Sequence, residues 1–268
     1  MVDVHKRFGR LVVLDGIDFQ AQRGKTTVVI GPSGCGKSVL LKHIAGLMKP
    51  DKGQVWFRQD CISEMSEAAL VKVRRRMGFL FQGGALFDSM TVQENICFPQ
   101  DEHNVGTRQS RIDRSRQVLS LVGLDGLQNR YPEELSGGQK KRVALARAIA
   151  LEPELILYDE PTTGLDPVRA DLINELILKL QSALGTTAIV VTHDMASARK
   201  VGDRIVMLHE GKLIVDAAPH ELDDVQDGVV QRFVLGQASP EELAQIRQGN
   251  LSASETPTAP TSPQESSK

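Results

Sequence analysis

The stretch TTVVIGPSGCGKSVLLKHIAG, residues 26–46, decides the fold. Its first five residues are a short continuous apolar run, the pattern of a strand buried on both faces. Its last nine, SVLLKHIAG (38–46), read as a helix closed by Gly46. Between them, GPSGCGKS (31–38) fits G-x-x-x-x-G-K-[ST], with Gly31, Gly36, Lys37 and Ser38 at the fixed positions. Glycines let a backbone wrap closely around a β-phosphate and aim N–H groups inward. The helix that follows turns its positive end toward the same charge. Lys37 can reach the β- and γ-phosphates, and Ser38 can ligate Mg²⁺. A glycine-rich turn with a chance lysine is the plain alternative, and the strand before and helix after weigh against it. The glycine spacing is not that of a dinucleotide-binding fingerprint.

A phosphate loop of this kind needs a second strand ending in an acid near the metal. ELILYDE (154–160) supplies one. Asp159 at the strand tip would hold Mg²⁺, and Glu160 could polarise the attacking water. Acids often end strands, so the pair gains its meaning from the phosphate loop. TTAIVVTH (186–193) is a third buried strand, ending in His193. A lone histidine there is usually structural, but it stands beyond the carboxyl edge of the sheet, where parallel α/β sheets bind ligands.

Outward from these strands, the elements alternate. VVLDGIDFQAQRG reads as strand and then the turn Arg23-Gly24-Lys25, and MGFLFQ (77–82) is a further strand. Residues from about 88 to 130 are mostly helical and polar, a lobe inserted before the next sheet element. Asp166-Pro167 starts a helix whose stripe is Val168, Leu172, Ile173, Leu176, Ile177, Leu180 and Leu184, with Gly185 as its stop. RIVMLHEGKLIVDA (204–217) reads as a hairpin around Glu210-Gly211. Strands alternating with helices imply a largely parallel sheet, an α/β fold.

The 268 residues suffice for one lobed α/β domain or two small ones. A net charge of −2 gives no bulk argument for nucleic acid or an anionic surface. The basic runs Arg74-Arg75-Arg76 and Lys140-Lys141-Arg142 read as solvated surface charge. No apolar stretch has the length of a spanning helix, and the start MVDVHKRFG has no signal core. A cytoplasmic protein reaching the membrane through a partner is expected. Cys35, Cys61 and Cys97 lack disulfide or metal spacing and are expected as reduced thiols. The first strand begins almost at residue 1, which raises the expectation of a leading segment missing from this sequence.

LSGGQ (135–139) carries a family resemblance. With GPSGCGKS, Gln82, LILYDE (155–160), Gly164-Leu165-Asp166 and His193 in this order, residues 2–217 resemble an ABC-transporter nucleotide-binding domain. The resemblance implies a mostly parallel core sheet, an antiparallel β subdomain and an inserted helical subdomain at about 84–150. It places ATP along Gly31, Pro32, Ser33, Gly34, Cys35, Gly36, Lys37, Ser38 and Val39, with Phe8 stacked on adenine. Mg²⁺ would meet Ser38, Gln82 and Asp159, with Glu160, His193 and Gln82 catalytic. Ser136, Gly137, Gly138, Gln139 and Asp166 would belong to the ATP site completed by a second subunit. Each chain has one phosphate loop and one signature, so a head-to-tail homodimer holding two ATP is implied. A Ser136 that only caps a helix is the plain alternative.

The short insert without heptads does not match chromosome-maintenance ATPases, the single cassette does not match translation-type proteins, and absent membrane helices do not match fused exporters. A separate transporter subunit is left, with a solute-importer ATPase or a non-transport ABC ATPase as alternatives. FLFQGGALFDSMTVQENICFP (79–99) and LYDEPTTGLDPV (157–168) resemble the Mla/Mce phospholipid-transport ATPases. That resemblance implies MlaE-type permease subunits, a small STAS-type regulatory protein, an Mce-domain lipid-binding protein, no nucleic acid, and the cytoplasmic face of the inner membrane. The expected layout is a cassette over 1–220, an extension over 221–249 and a disordered tail over 250–268. Within GVVQRFVLGQASPEELAQIRQG (228–249), a helix is expected from about 239, and residues 229–248 are expected to serve the dimer or a regulatory partner, with a last piece of core packing as the plain alternative.

Overall fold

The computed structural model describes residues 1–240 and 243–244. Strands β1 (Val2–Phe8), β2 (Leu11–Ile17) and β3 (Thr26–Ile30) open the chain, and α1 (Lys37–Ile44) follows the glycine loop. Short strands β4 (Lys52–Gln54), β5 (Trp56–Phe57) and β6 (Asp60–Cys61) lead into α2 (Glu67–Arg74) and β7 (Met77–Leu80). The inserted lobe holds α3 (Val92–Glu102), α4 (Arg108–Leu121) and α5 (Gly137–Ala148). Then come β8 (Leu155–Asp159), α6 (Pro167–Leu184), β9 (Thr187–Val191), α7 (Met195–Val201), β10 (Arg204–His209), β11 (Lys212–Ala217) and α8 (Gly228–Val234).

The main sheet runs β11-β10-β3-β9-β8-β7, parallel from β10 to β7, with β11 added antiparallel at one edge. Every residue of β3 and β8 is buried, as their unbroken apolar runs require. Each fully buried Val, Ile or Leu there contributes about 1.5–3 kcal/mol over an exposed one. A second sheet, β2-β1-β4, is antiparallel, and β5 pairs with β6 as a small hairpin. The turn between β10 and β11 has positive φ at both Glu210 (45°) and Gly211 (76°), the paired left-handed geometry that suits a two-residue hairpin.

Sheet order sets the site. The loops that leave the carboxyl ends of β3, β9, β8 and β7 are neighbours in space, although they lie far apart in the chain. They carry, in that order, the glycine loop, His193, Glu160 and Gln82. Helix α5 crosses β7 so closely that a Cβ on Gly78 would stand 2.5 Å from the Ala148 carbonyl oxygen. Only glycine permits that approach.

Two readings of surface and core need correction. In α6, Ile173, Ile177 and Leu180 are buried, but Val168 and Leu172 are 72% and 54% exposed, so the first two turns of the apolar stripe face outward. The basic runs are not uniformly solvated either. Arg76 donates through Nε to Glu154 at 2.7 Å and stacks 4.8 Å from the Phe57 ring, joining β7 to the loop before β8. Lys141 is buried and bonded within the protein, while Arg142 reaches the carbonyls of Val122 and Gly123. In both cases a backbone or side-chain acceptor lies within reach of the long stem.

Residues 1–225 form one compact unit, and the described residues from Gln226 onward belong to a second. In the second, Asp227 caps α8 by accepting from the N–H groups of Val229 and Val230. Pro240 is helical, and the Leu243 N–H donates to the Ser239 carbonyl at 3.0 Å. Of the expected helix beyond Pro240, residues 241–242 and 245–249 lie outside the described residues, as does the tail over 250–268.

Candidate functional site

The glycine loop is held against two strands. A Cβ on Gly31 (φ +149°) would stand 2.2 Å from the Leu208 carbonyl oxygen, which no side chain can accept. Gly36 stands at the N-cap of α1 and offers no capping side chain, so the amides of the first turn face the loop without a side-chain acceptor. Such a helix start attracts an anion. Lys37 is buried, and its Nζ donates to the carbonyls of Gly31 and Pro32, each at 2.8 Å. Its ammonium is thereby kept inside the loop. Burial pushes the Cys35 thiol up, leaving it protonated beside Lys37.

The carboxylates close on this loop. Ser38 Oγ donates to Asp159 Oδ1 at 2.8 Å, joining the start of α1 to the tip of β8. Asp159 is buried, and burial raises its pKa above the usual carboxylate range despite the Ser38 hydroxyl. A buried carboxylate beside a hydroxyl is a hard oxygen donor set that favours Mg²⁺ over softer metals. The residues present therefore fit the ion.

Glu160 adopts φ +49°, a left-handed backbone that a non-glycine residue holds only when its surroundings enforce it. Its N–H donates to the Val191 carbonyl at 2.9 Å, and its own carbonyl accepts from Lys141 Nζ at 3.0 Å. Its carboxylate oxygen Oε2 accepts from Thr163 Oγ1 at 2.8 Å and lies 2.9 Å from His193 Nδ1. The turn after β8 thus aims the acid toward the histidine of the adjacent strand. Sequence reasoning missed Thr163, which stands three residues after the acid at the spacing of a one-turn contact.

One subunit brings together Lys37, Ser38, Asp159, Glu160 and His193. It leaves the signature elsewhere. Ser136 caps α5, and Ser136 and Gln139 close a reciprocal capping box on each other. Ser136 and Gly137 stay exposed, Gly138 is buried, and Asp166 similarly caps α6 through the Arg169 N–H at 3.0 Å. Gln82 is exposed just past β7, and Phe8 is 46% exposed with the Lys6 ammonium 5.7 Å from its ring.

The sequence reading leaves Lys141, two residues past the signature LSGGQ, at the surface. Its Nζ instead inserts beside the turn after β8, where burial lowers its pKa and the nearby carboxylates of Glu160 and Asp159 oppose that.

The loop after Gln82 is shaped by two more residues that the sequence did not reveal. Asn95, fully buried, accepts from the Phe87 N–H at 2.9 Å. Its amide donates to the carbonyls of Phe87, Met90 and Thr91 at 3.0–3.1 Å. Arg147 of α5 donates to the carbonyls of Gly84 and Ala85, both at 2.8 Å, and lies 5.7 Å from the Phe87 ring. Phe87 packs against Phe98 with centroids 4.6 Å apart yet remains 39% exposed. An asparagine within a helical pattern and an arginine near a helix end have no sequence signature for such work.

Comparison with known proteins places this geometry. A sequence profile described as ABC transporter matches residues 14–163. The chain is 40% identical over 236 residues to the intermembrane phospholipid transport system ATP-binding protein MlaF of Escherichia coli K12, covering 88% of each. It is 40% identical over 254 residues to the chloroplastic protein trigalactosyldiacylglycerol 3 of Arabidopsis thaliana, covering 87% of this chain and 72% of that one. Among solved structures, a dimeric ATP-binding cassette in a post-hydrolysis state with ADP and phosphate superposes with a TM-score of 0.75. That cassette is 34% identical, over 81% of this chain and 97% of its own.

Proposed function

Because the chain belongs to the ABC transporter family, as the ATP-binding and ATP-hydrolysing subunit of a transporter, we propose that it powers phospholipid movement through a separate permease. The observation that carries this reading is the likeness over 88% of both chains to a phospholipid transport ATPase.

The geometry and the family pattern support the following residue roles. The loop from Gly31 to Val39 cradles the phosphates of ATP, with Lys37 released from its two carbonyls to meet them. Phe8 stacks on adenine. Ser38, Asp159 and Gln82 would hold Mg²⁺, which would supply positive charge against the phosphates. Glu160 polarises the attacking water, oriented by Thr163 and His193, and His193 contacts the γ-phosphate.

The exposed cap Ser136-Gly137, with Gly138, Gln139 and Asp166, faces ATP bound by a second copy, so two ATP are sandwiched in a head-to-tail homodimer. ATP closes the dimer and hydrolysis releases it. Phe81, Phe87 and the 83–91 loop receive an MlaE-type permease, which holds the chain at the cytoplasmic face of the inner membrane. Among the described residues, no helix is long and apolar enough to cross a membrane. Mce-domain and STAS-type partners complete the assembly, and the segment from Gly228 onward serves the dimer or the STAS-type partner.

The test is to tag the chain, extract membranes in mild detergent and identify co-purifying proteins and lipids. A compact permease with bound phospholipid supports the proposal. A solute-importer permease overturns the cargo, and an active chain with no membrane partner overturns the transport role.

A further inference from the structure

Lys141 joins the helix that Ser136 caps to the turn after β8. It belongs to α5, whose N-terminal cap Ser136 is exposed. Its side chain runs inward, is 7% exposed, and ends 3.0 Å from the carbonyl oxygen of Glu160. A buried ammonium needs partners, and a backbone carbonyl at a catalytic turn is a specific one.

The bond falls where it controls direction. Glu160 has a left-handed backbone (φ +49°) directly after β8, and a non-glycine residue stays there only under restraint. Its N–H is fixed to Val191 on β9, and its C=O accepts from Lys141 on α5 at 3.0 Å and, less closely, from the Thr163 N–H at 3.3 Å. These bonds set the peptide planes on either side of its Cα, and so the exit vector of the carboxylate. Loss of the Lys141 bond would leave the second plane held only by the longer 3.3 Å bond from the Thr163 N–H, with Thr163 Oγ1 and His193 still on the carboxylate.

We propose that Lys141 is a positioning residue that ties the aim of Glu160 to the placement of the signature helix, so that each subunit's acid responds to ATP bound in the opposite site. The proposal rests on reading Glu160 as the water-polarising acid and Ser136–Gln139 as the contact to the partner's ATP. When the signature cap engages that ATP, α5 is held, and Lys141 holds the Glu160 carbonyl with it. When the cap disengages, α5 is free to shift and the acid loses its aim. The coupling requires no contact between the two nucleotides.

The test compares wild type with Lys141→Met, Lys141→Arg and Lys141→Gln in the full-length chain purified with its membrane partners. It measures ATPase rate against ATP concentration and the melting temperature. Lys141→Met keeps the apolar stem and removes the donor. It is expected to lower kcat by about 10- to 100-fold, as a small misplacement of a catalytic group does, with KM within about twofold. The Hill coefficient is expected to fall to about 1 from a higher wild-type value.

Lys141→Arg and Lys141→Gln, which can still donate, are expected to restore much of both. An unaltered kcat in Lys141→Met, a hyperbolic wild-type curve, or a rate loss that follows melting temperature across all three variants would each overturn the proposal. Should Lys141→Met fail to fold, Lys141→Leu, which also lacks the donor, takes its place under the same criteria. Glu160→Gln, assayed in parallel, separates the readings: near-normal hydrolysis there removes Glu160 as the acid, whatever Lys141 does.

Discussion

Nδ1 of His193 stands 2.9 Å from Oε2 of Glu160, so the ends of two adjacent parallel strands, β9 and β8, meet through their side chains. The same oxygen accepts from Thr163. Removing the acid function without changing its shape is therefore the sharpest probe. Glu160→Gln is expected to bind ATP and dimerise while phosphate release falls by about 10²- to 10⁴-fold. Thr163→Val, which removes one orienting hydrogen bond, is expected to lower kcat less than Glu160→Gln and to leave KM unchanged. Phosphate-release kinetics and size-exclusion chromatography with ATP check both.

Ser38→Ala removes one hard oxygen from the site and the hydroxyl that supports buried Asp159. The Mg²⁺ concentration for half-maximal turnover should rise by about 10- to 100-fold. Binding of ATP in the presence of a chelator should change little. A Mg²⁺ titration of the ATPase rate, set beside equilibrium nucleotide binding with chelator, distinguishes this from a general loss of the phosphate loop.

Asn95→Leu keeps approximate volume but removes the hydrogen bonds that hold the 87–91 turn. Orphaning these backbone groups should cost about 1–3 kcal/mol. It should also reduce permease recovery in a pull-down more than it reduces ATP binding. Equal recovery of the permease would show that the 87–91 turn does not need this shape for docking.

His43, wholly buried on α1, meets the Val39 carbonyl through Nδ1 at 2.7 Å, and its Nε2 has no partner among the described residues. Burial lowers its pKa below the ordinary histidine value of about 6.5. The folded state therefore binds fewer protons than the unfolded chain between the lowered value and the ordinary one. Stability from this group is present above about pH 6.5 and is lost as pH falls through the folded value. Melting temperatures of wild type and His43→Leu across pH 5 to 8 should diverge in the variant's favour on acidification. A constant difference across that range would exclude His43 as the titrating group.

Much of this site was legible because its chemistry is local. A strand, a glycine loop and a helix are contiguous in residues 26–46, and Asp159, Glu160 and His193 each end an apolar run. What escaped depends on where long side chains go in three dimensions. Lys140-Lys141-Arg142 has the composition of a wet helix face, yet the second lysine points at the turn after β8. Asn95 and Arg147 work on loops that their own segments do not announce. The stripe on α6 failed at Val168 and Leu172 for the converse reason. Helical period identifies which residues share a face, but not how far along the helix the core extends to cover it.

The twelve-residue helix α5 bears an exposed cap at Ser136, a grip on the Glu160 turn through Lys141 and a grip on the 84–85 loop through Arg147. At 1.5 Å per residue these span roughly 16 Å of one rod. A genetic screen would feel this rod as one locus. Cells selected to rescue a damaged permease loop should acquire second changes along α5 and at Gly78 beneath it, far from the first lesion in sequence. Such revertants should carry altered ATP turnover even where transport is restored.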